Sequence, residues 1–256
     1  MTAKEFKELN QNNQILHIGN VWNVQSALIM EKLGYKALGT SSLAIANSLG
    51  YEDGEDINFD VLYKISKQII SKVKIPLSVD IEGGYSRDTK EIVENIVALY
   101  DIGVVGINIE DSIVEDGERK ILSKDEFSKK LREIRSNLEE KNIDMFINVR
   151  TDNFIMGLEN PLEKTLLRIK SYEQNGADGI FVPCIVNIED IKKVIHTTFL
   201  PVNVMTMPTL DDFNTLQNAG VKRVIQGPFI YNNLMKCFED KLEDINNDNS
   251  FISLFS

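Results

Sequence analysis

Short apolar runs alternate with amphipathic stretches eight times along the 256 residues, and this alternation restricts the fold more than any other feature. The runs at 15–18, 37–40, 77–80, 106–110, 146–151, 179–182, 201–204 and 224–226 are rich in Val, Ile, Leu or Phe and flanked by Gly, Pro or polar residues, so they read as strands. The stretches at 24–33, 58–71, 88–100, 123–142, 162–175, 188–195, 211–219 and 229–242 read as helices. Ser123 three residues before Glu126 has capping-box spacing, and Asn160-Pro161 and Pro208-Thr209 open two further helices. Several helices end at a glycine, as at Gly34, Gly103, Gly176 and Gly220.

Strand–helix alternation requires parallel strands joined by right-handed crossovers. Eight such units in about 250 residues predict an α/β fold, a closed (β/α)8 TIM barrel formed as a single domain over 1–256. An open doubly wound sheet would need a glycine-rich phosphate loop after its first strand. The segment His17-Ile18-Gly19-Asn20-Val21-Trp22-Asn23 lacks G-x-G-x-x-G, and no P-loop occurs elsewhere. The tail 243–256 is Asn- and Asp-rich, then apolar, and fits either an unfolded end or a segment docked on a neighbouring subunit.

The net charge of −11 disfavours nucleic acid as a partner, because the field would repel a phosphate backbone. Two cysteines, Cys184 and Cys237, are too few for a disulfide framework and have no metal-ligand spacing. No signal peptide is visible in the polar first fourteen residues, and no apolar window is long enough to span a membrane. A cytoplasmic protein is the expectation.

In a barrel the chemistry sits at the C-terminal ends of the strands. Asp80 and Glu82 close the third strand, Asn108 and Glu110 the fourth, and Asn148, Arg150 and Asp152 the fifth, each set spaced by two and so sharing a face. Any one of them could be an ordinary solvated loop residue; three successive strands carrying them point to a site. Crowded carboxylates repel one another, and a divalent cation relieves that. An all-oxygen set suits Mg²⁺, with Mn²⁺ possible in its place. Arg150 then suits a clamp for a substrate carboxylate or phosphonate. His17 and Cys184 have no visible catalytic partner. The charged loop 111–120 fits a lid over substrate and equally an exposed loop.

The segments GTSSLAIANSLGYEDGE, SVDIEGGY, GINIEDS, INVRTDNF and GADGIFVP, in this order between Gly19 and Tyr231, resemble the isocitrate lyase/phosphoenolpyruvate mutase superfamily. The resemblance implies a Mg²⁺-dependent (β/α)8 barrel whose eighth helix is exchanged between subunits of a homodimer or homotetramer. It implies a small 2-oxo acid as substrate, oxaloacetate- or phosphonopyruvate-like, cut at a C–C or P–C bond through a pyruvate enolate. By position, Ser41, Ser42 and Leu43 match the loop holding the substrate carboxylate. Asp80 matches the direct metal ligand, Asp53, Glu82 and Glu110 the groups holding its waters, and Arg150 the substrate arginine. The loop 111–120 departs from the family's lyases in lacking the Cys and His of the K-K/R-C-G-H motif. It departs from the mutase in placing Ser112 after Glu110-Asp111, and it keeps Lys120 as a lid residue without the accompanying Asn. Phosphonomutase chemistry and a non-catalytic 2-oxo acid binder are therefore the alternatives to a lyase or decarboxylase.

Overall fold

The structure, a computed structural model, describes residues 2–255. The barrel strands are β1 (Leu16–Val21), β2 (Ala37–Thr40), β3 (Leu77–Asp80) and β4 (Gly106–Glu110), then, after a hairpin of β5 (Ser112–Glu115) and β6 (Glu118–Ile121), β7 (Phe146–Arg150), β8 (Gly179–Val182), β9 (Val202–Met205) and β10 (Arg223–Ile225). These eight close in parallel, β10 pairing with β1. The predicted (β/α)8 barrel is the observed fold.

The helices are α1 (Ala3–Gln11), α2 (Val24–Lys32), α3 (Ser42–Ser48), α4 (Phe59–Ile70), α5 (Thr89–Asp101), α6 (Lys124–Glu140), α7 (Pro161–Gln174), α8 (Ile188–Thr197), α9 (Phe213–Ala219) and α10 (Phe229–Asp248). A 3-10 turn follows at Ile252–Phe255. No helix among the described residues is long and apolar enough to cross a membrane.

Each barrel strand is buried on both faces, because one meets the helices and the other lines the interior. Val79, Ile107, Ile109, Ile147, Val149, Ile180 and Val204 pack outward into the strand–helix core. Alternate residues face inward, and there the lining is mixed. Phe146, Phe181, Ile18 and Ile225 belong to a second apolar cluster, whereas Ser78, Asn108, Asn148, Asn203 and Arg223 form a buried polar set. Asn108 Oδ1 accepts from Asn148 Nδ2 at 2.9 Å and from Arg223 Nη2 at 3.3 Å.

Three elements were absent from the sequence reading. Helix α1, opened by a Thr2–Glu5 capping box, plugs the N-terminal end of the barrel with Phe6, which meets Phe146 edge-on at 5.4 Å. Gly106 makes room for it: a Cβ there would stand 2.9 Å from the Phe6 ring. Helix α3 begins directly after β2, capped by Ser41. The charged loop after β4 is a hairpin turning at Asp116-Gly117, both at positive φ (54° and 78°), a pair favoured in two-residue hairpin turns. At the other end of the chain, α10 runs to Asp248, six residues past its expected end at 242.

Candidate active site

Strand register brings the polar strand ends level. Asp80 pairs with Asn108 and Asn108 with Asn148; one step further, Glu110 pairs with Arg150. A cavity of about 130 Å³ opens at this C-terminal mouth, and Ser41, Ser42, Leu43, Asp53, Asp80, Asn108 and Arg150 all line it. Seven of the residues singled out from sequence therefore converge on one space.

Each is held by its neighbours. The Ser42 hydroxyl donates to Asp80 Oδ2 at 3.1 Å, and the Glu82 backbone N–H donates to Oδ1 at 3.3 Å. Thr40 Oγ1 accepts the Asp80 N–H at 2.8 Å, tying β3 to β2. Ser41 accepts the Ala44 N–H at 3.4 Å as the cap of α3, which leaves the Ser42 and Leu43 N–H groups without intrahelical acceptors at the rim.

Glu82 and Glu110 are buried beside the cavity rather than lining it. Glu82 sits in the left-handed region (φ 49°), and its carboxylate accepts from Tyr85 OH at 3.0 Å and Glu55 N at 2.9 Å. Arg150 is gripped from two sides. Its Nη1 stands 2.8 Å from Glu110 Oε2, while Nε and Nη2 donate to Asp152 at 2.6 and 3.1 Å. Asp152 is held in turn by its own N–H on Asp111, whose carboxylate also takes Thr151, Arg168 and Tyr172.

Lys120 is not brought to this group. It lies half-exposed on the hairpin, 3.4 Å from Glu115. Its neighbour Arg119, on the opposite face of β6, reaches inward instead. Arg119 pairs with Glu110, lies 3.4 Å from Asp152 and 3.5 Å from Asp53, and donates to Ser112 Oγ at 2.9 Å. Sequence reasoning passed over Arg119 because its reach depends on hairpin register, with Val114 opposite Arg119 and Ile113 opposite Lys120.

The electrostatics is that of a site with too little positive charge. Five carboxylates, Asp53, Asp80, Glu82, Glu110 and Asp152, gather near three guanidinium groups, Arg119, Arg150 and the deeper Arg223. Burial raises the Asp80 pKa, Arg150 opposing and Asp53 adding. Burial, then Asp53, Glu110 and Asp80, hold Glu82 well above the usual carboxylate range. Burial pushes Glu110 up to about 8, against the pull of Arg150. For Arg150 burial acts against the charge, but Asp152, Glu110 and Asp80 outweigh it and keep the guanidinium protonated. Asp53 Oδ1 is among the buried acceptors without a hydrogen-bond partner, and it belongs to a residue that lines the cavity.

Among the described residues no three His, Cys, Asp or Glu groups lie close enough to chelate an ion by themselves. The donors at the mouth are oxygens, and Mg²⁺ binds through one or two carboxylates and keeps its waters, so Asp80 and the unpartnered Asp53 Oδ1 are the groups that could hold it.

A family profile described as phosphoenolpyruvate phosphomutase matches residues 6–246. The chain is similar to the crystal structure of a candidate phosphonomutase from Burkholderia cenocepacia, at 31% identity and TM-score 0.87, covering 94% of this chain and 99% of that one. It is similar to oxaloacetate decarboxylase 1 of Pseudomonas fluorescens, 26% identical over 94% of this chain and 83% of the relative. It is also similar to phosphoenolpyruvate phosphomutase of Tetrahymena pyriformis, 24% identical over 86% of this chain and 76% of the relative. Barrel and profile agree: the chain belongs to the phosphoenolpyruvate phosphomutase family.

Proposed function

We propose that this chain is a Mg²⁺-dependent enzyme that binds a small 2-oxo acid at the mouth of the barrel and cleaves its C–C or P–C bond through a pyruvate-like enolate. The observation that carries this is the convergence of Ser42, Asp53, Asp80 and Arg150 on one cavity in which carboxylates outnumber guanidinium groups. Mn²⁺ could replace Mg²⁺ at an all-oxygen site.

The Ser41–Leu43 turn binds the substrate carboxylate through its hydroxyls and the free N–H groups of the first turn of α3. Asp80 would hold the metal ion, and Asp53, Glu82 and Glu110 would accept hydrogen bonds from its waters. The ion, when bound, supplies Lewis-acid stabilisation of negative charge on the enolate. Arg150, immobilised by Glu110 and Asp152, presents a fixed cation toward the scissile group, so little reorganisation is needed as charge develops. Burial on the inward face of the strands excludes water from these groups and strengthens each interaction.

The hairpin bears on the reaction. It carries neither Cys nor His, and its inward residue is the permanently charged Arg119. A cleavage whose departing fragment needs no general base, such as loss of carbon dioxide from an oxaloacetate-like acid, suits that equipment best. Phosphonomutase chemistry is the second reading, favoured by the profile and by the Tetrahymena relative.

The deciding experiment is a proton and phosphorus NMR time course with saturating Mg²⁺. Oxaloacetate, phosphonopyruvate, phosphoenolpyruvate and 2-methylisocitrate are offered separately, with EDTA controls. Pyruvate that appears in one tube and vanishes with EDTA names the bond and supports the metal. Interconversion of phosphonopyruvate and phosphoenolpyruvate selects the mutase. Tight oxalate binding without turnover of any of them leaves a binding protein.

The proposed assembly rests on α10. Only Tyr231 of its twenty residues is buried, and Leu234, Met235, Phe238 and Leu242 stay exposed on it. A second copy of the chain, in a homodimer or a larger homo-oligomer, covers this surface in the proposed assembly.

A further inference from the structure

The cavity is divided. Its polar lining comes from β1 to β4 and β7, on one side of the barrel. The other side follows β7, β8, β9 and β10 around the rim and presents Ile155, Phe181, Pro183, Met205, Ile225 and Phe229. No Lys, Arg or His lies among the residues that line that half. Phe181, Met205 and Ile225 are buried at the inward ends of their strands, so the wall belongs to the barrel itself. Ile155 and Phe229 form its rim and remain partly exposed.

An unsubstituted oxaloacetate or phosphonopyruvate leaves such a wall uncovered. Both present only charged and polar groups beyond the methylene carbon. Arg150, the one cation lining the cavity, stands on the polar side with all three guanidinium nitrogens already engaged by Glu110 and Asp152. An anion placed against Phe181 and Ile225 would lose water without gaining a counter-charge, which is unfavourable. A hydrocarbon group there removes apolar surface from water on both partners. The volume bounds the whole ligand: about 130 Å³ is close to the cavity of about 150 Å³ that holds a benzene ring, so a small acid with short branches fits and one with a long chain does not.

We infer that the substrate is a 2-oxo acid branched at C3 by one or two short alkyl groups, seated on the wall formed by Ile155, Phe181, Met205 and Ile225. The inference rests on the reading of the cavity as a 2-oxo acid site. In it, the carboxylate and ketone of the acid stay on the polar side with Ser42 and Asp80. The group that departs stays beside Arg150. The alkyl branch remains on the enolate fragment and is retained in the product.

Isothermal titration of the full chain with Mg²⁺ tests this without needing turnover. The probes are oxalate, then pyruvate, 2-oxobutanoate and 3-methyl-2-oxobutanoate, which carry none, one and two methyl groups on C3. Affinity is expected to rise about fourfold with each methyl group. In Ile155→Ser, a rim substitution with little consequence for folding, the rise is expected to shrink while oxalate binding is unchanged. Oxalate binding with equal or falling affinity across the three oxo acids would overturn the branched-substrate inference and leave the 2-oxo acid site standing. No binding of oxalate or of any oxo acid would overturn both.

Discussion

Arg150 Nη1 stands 2.8 Å from Glu110 Oε2, and both residues are buried where β4 and β7 pair. This contact joins the two strands that carry the site, and Asp152 completes it from the far side of the guanidinium. Removing the cation would leave two buried carboxylates facing each other. Arg150→Ala is expected to destabilise the fold by about 3–5 kcal/mol, lowering the thermal midpoint on the order of 10 °C, and to abolish turnover. Arg150→Lys keeps the charge but not the planar fork, and should recover part of the stability and little of the activity. Differential scanning calorimetry beside a turnover assay checks both; a midpoint unchanged in Arg150→Ala would show that the pair contributes nothing.

Burial pushes Glu110 from an ordinary value of 4.5 up to about 8, and Glu82 shifts in the same direction. A folded-state pKa above the unfolded one means that the folded chain holds a proton the unfolded chain releases. Stability from this source is complete below the unfolded value and is lost as pH rises through about 8. The metal-free protein is therefore expected to melt at a lower temperature at about pH 8 than at about pH 5. Mg²⁺ should raise the midpoint more at the higher pH, where the carboxylates are free to face it. In Glu110→Gln the pH dependence should flatten. Equal Mg²⁺ stabilisation at both pH values would contradict the proposed ion site.

The strands of the barrel are legible because each is a short segment, bounded by turn residues, whose helix-facing side is β-branched, as in Ile107, Ile109, Ile147 and Val149. Asp80 and Arg150 were legible because polar residues ending such runs are out of place in a core. The hairpin was hidden by its charge: Glu115, Glu118, Arg119 and Lys120 look like a solvated loop, although Asp116-Gly117 marks the turn. Helix α1 was hidden in the same way, with Phe6 its one deeply buried large side chain. The apolar wall was invisible for the opposite reason. Nothing local separates Phe181 or Ile225, which face the cavity, from Ile180 or Val224, which face the helices.

Arg119 and Lys120 are adjacent in the chain and point to opposite faces of β6. Lys120→Ala is expected to change stability by less than about 0.5 kcal/mol and to leave turnover within experimental scatter. Arg119→Ala removes the bridge between the hairpin and Glu110, Asp152 and Asp53. Its expected cost is a fall in kcat on the order of 10-fold to 100-fold with a smaller change in stability, since misplacing Glu110 and Arg150 slightly is enough. Steady-state kinetics of the two variants side by side decides it. A larger loss in Lys120→Ala than in Arg119→Ala would return the lid role to Lys120.

Helices α2 and α4 to α8 each bury at least two apolar residues, whereas the longer α10 buries Tyr231 alone, against Trp22 at 5.3 Å. Leu234, Phe238 and Leu242 recur every four residues along it, a continuous stripe with Met235 beside it. Stripes of that extent on soluble chains mark contact surfaces. Light scattering on the eluting protein is expected to give a dimer or tetramer at micromolar concentration. Phe238→Asp places a charge at the middle of the stripe, and should shift the population to monomer without altering the far-ultraviolet circular dichroism. A wild-type chain that elutes as a monomer would remove the case for a second copy on α10. Because α10 starts at Phe229, on the rim of the cavity, dissociation should also weaken substrate binding, and that coupling is measurable in the same variant.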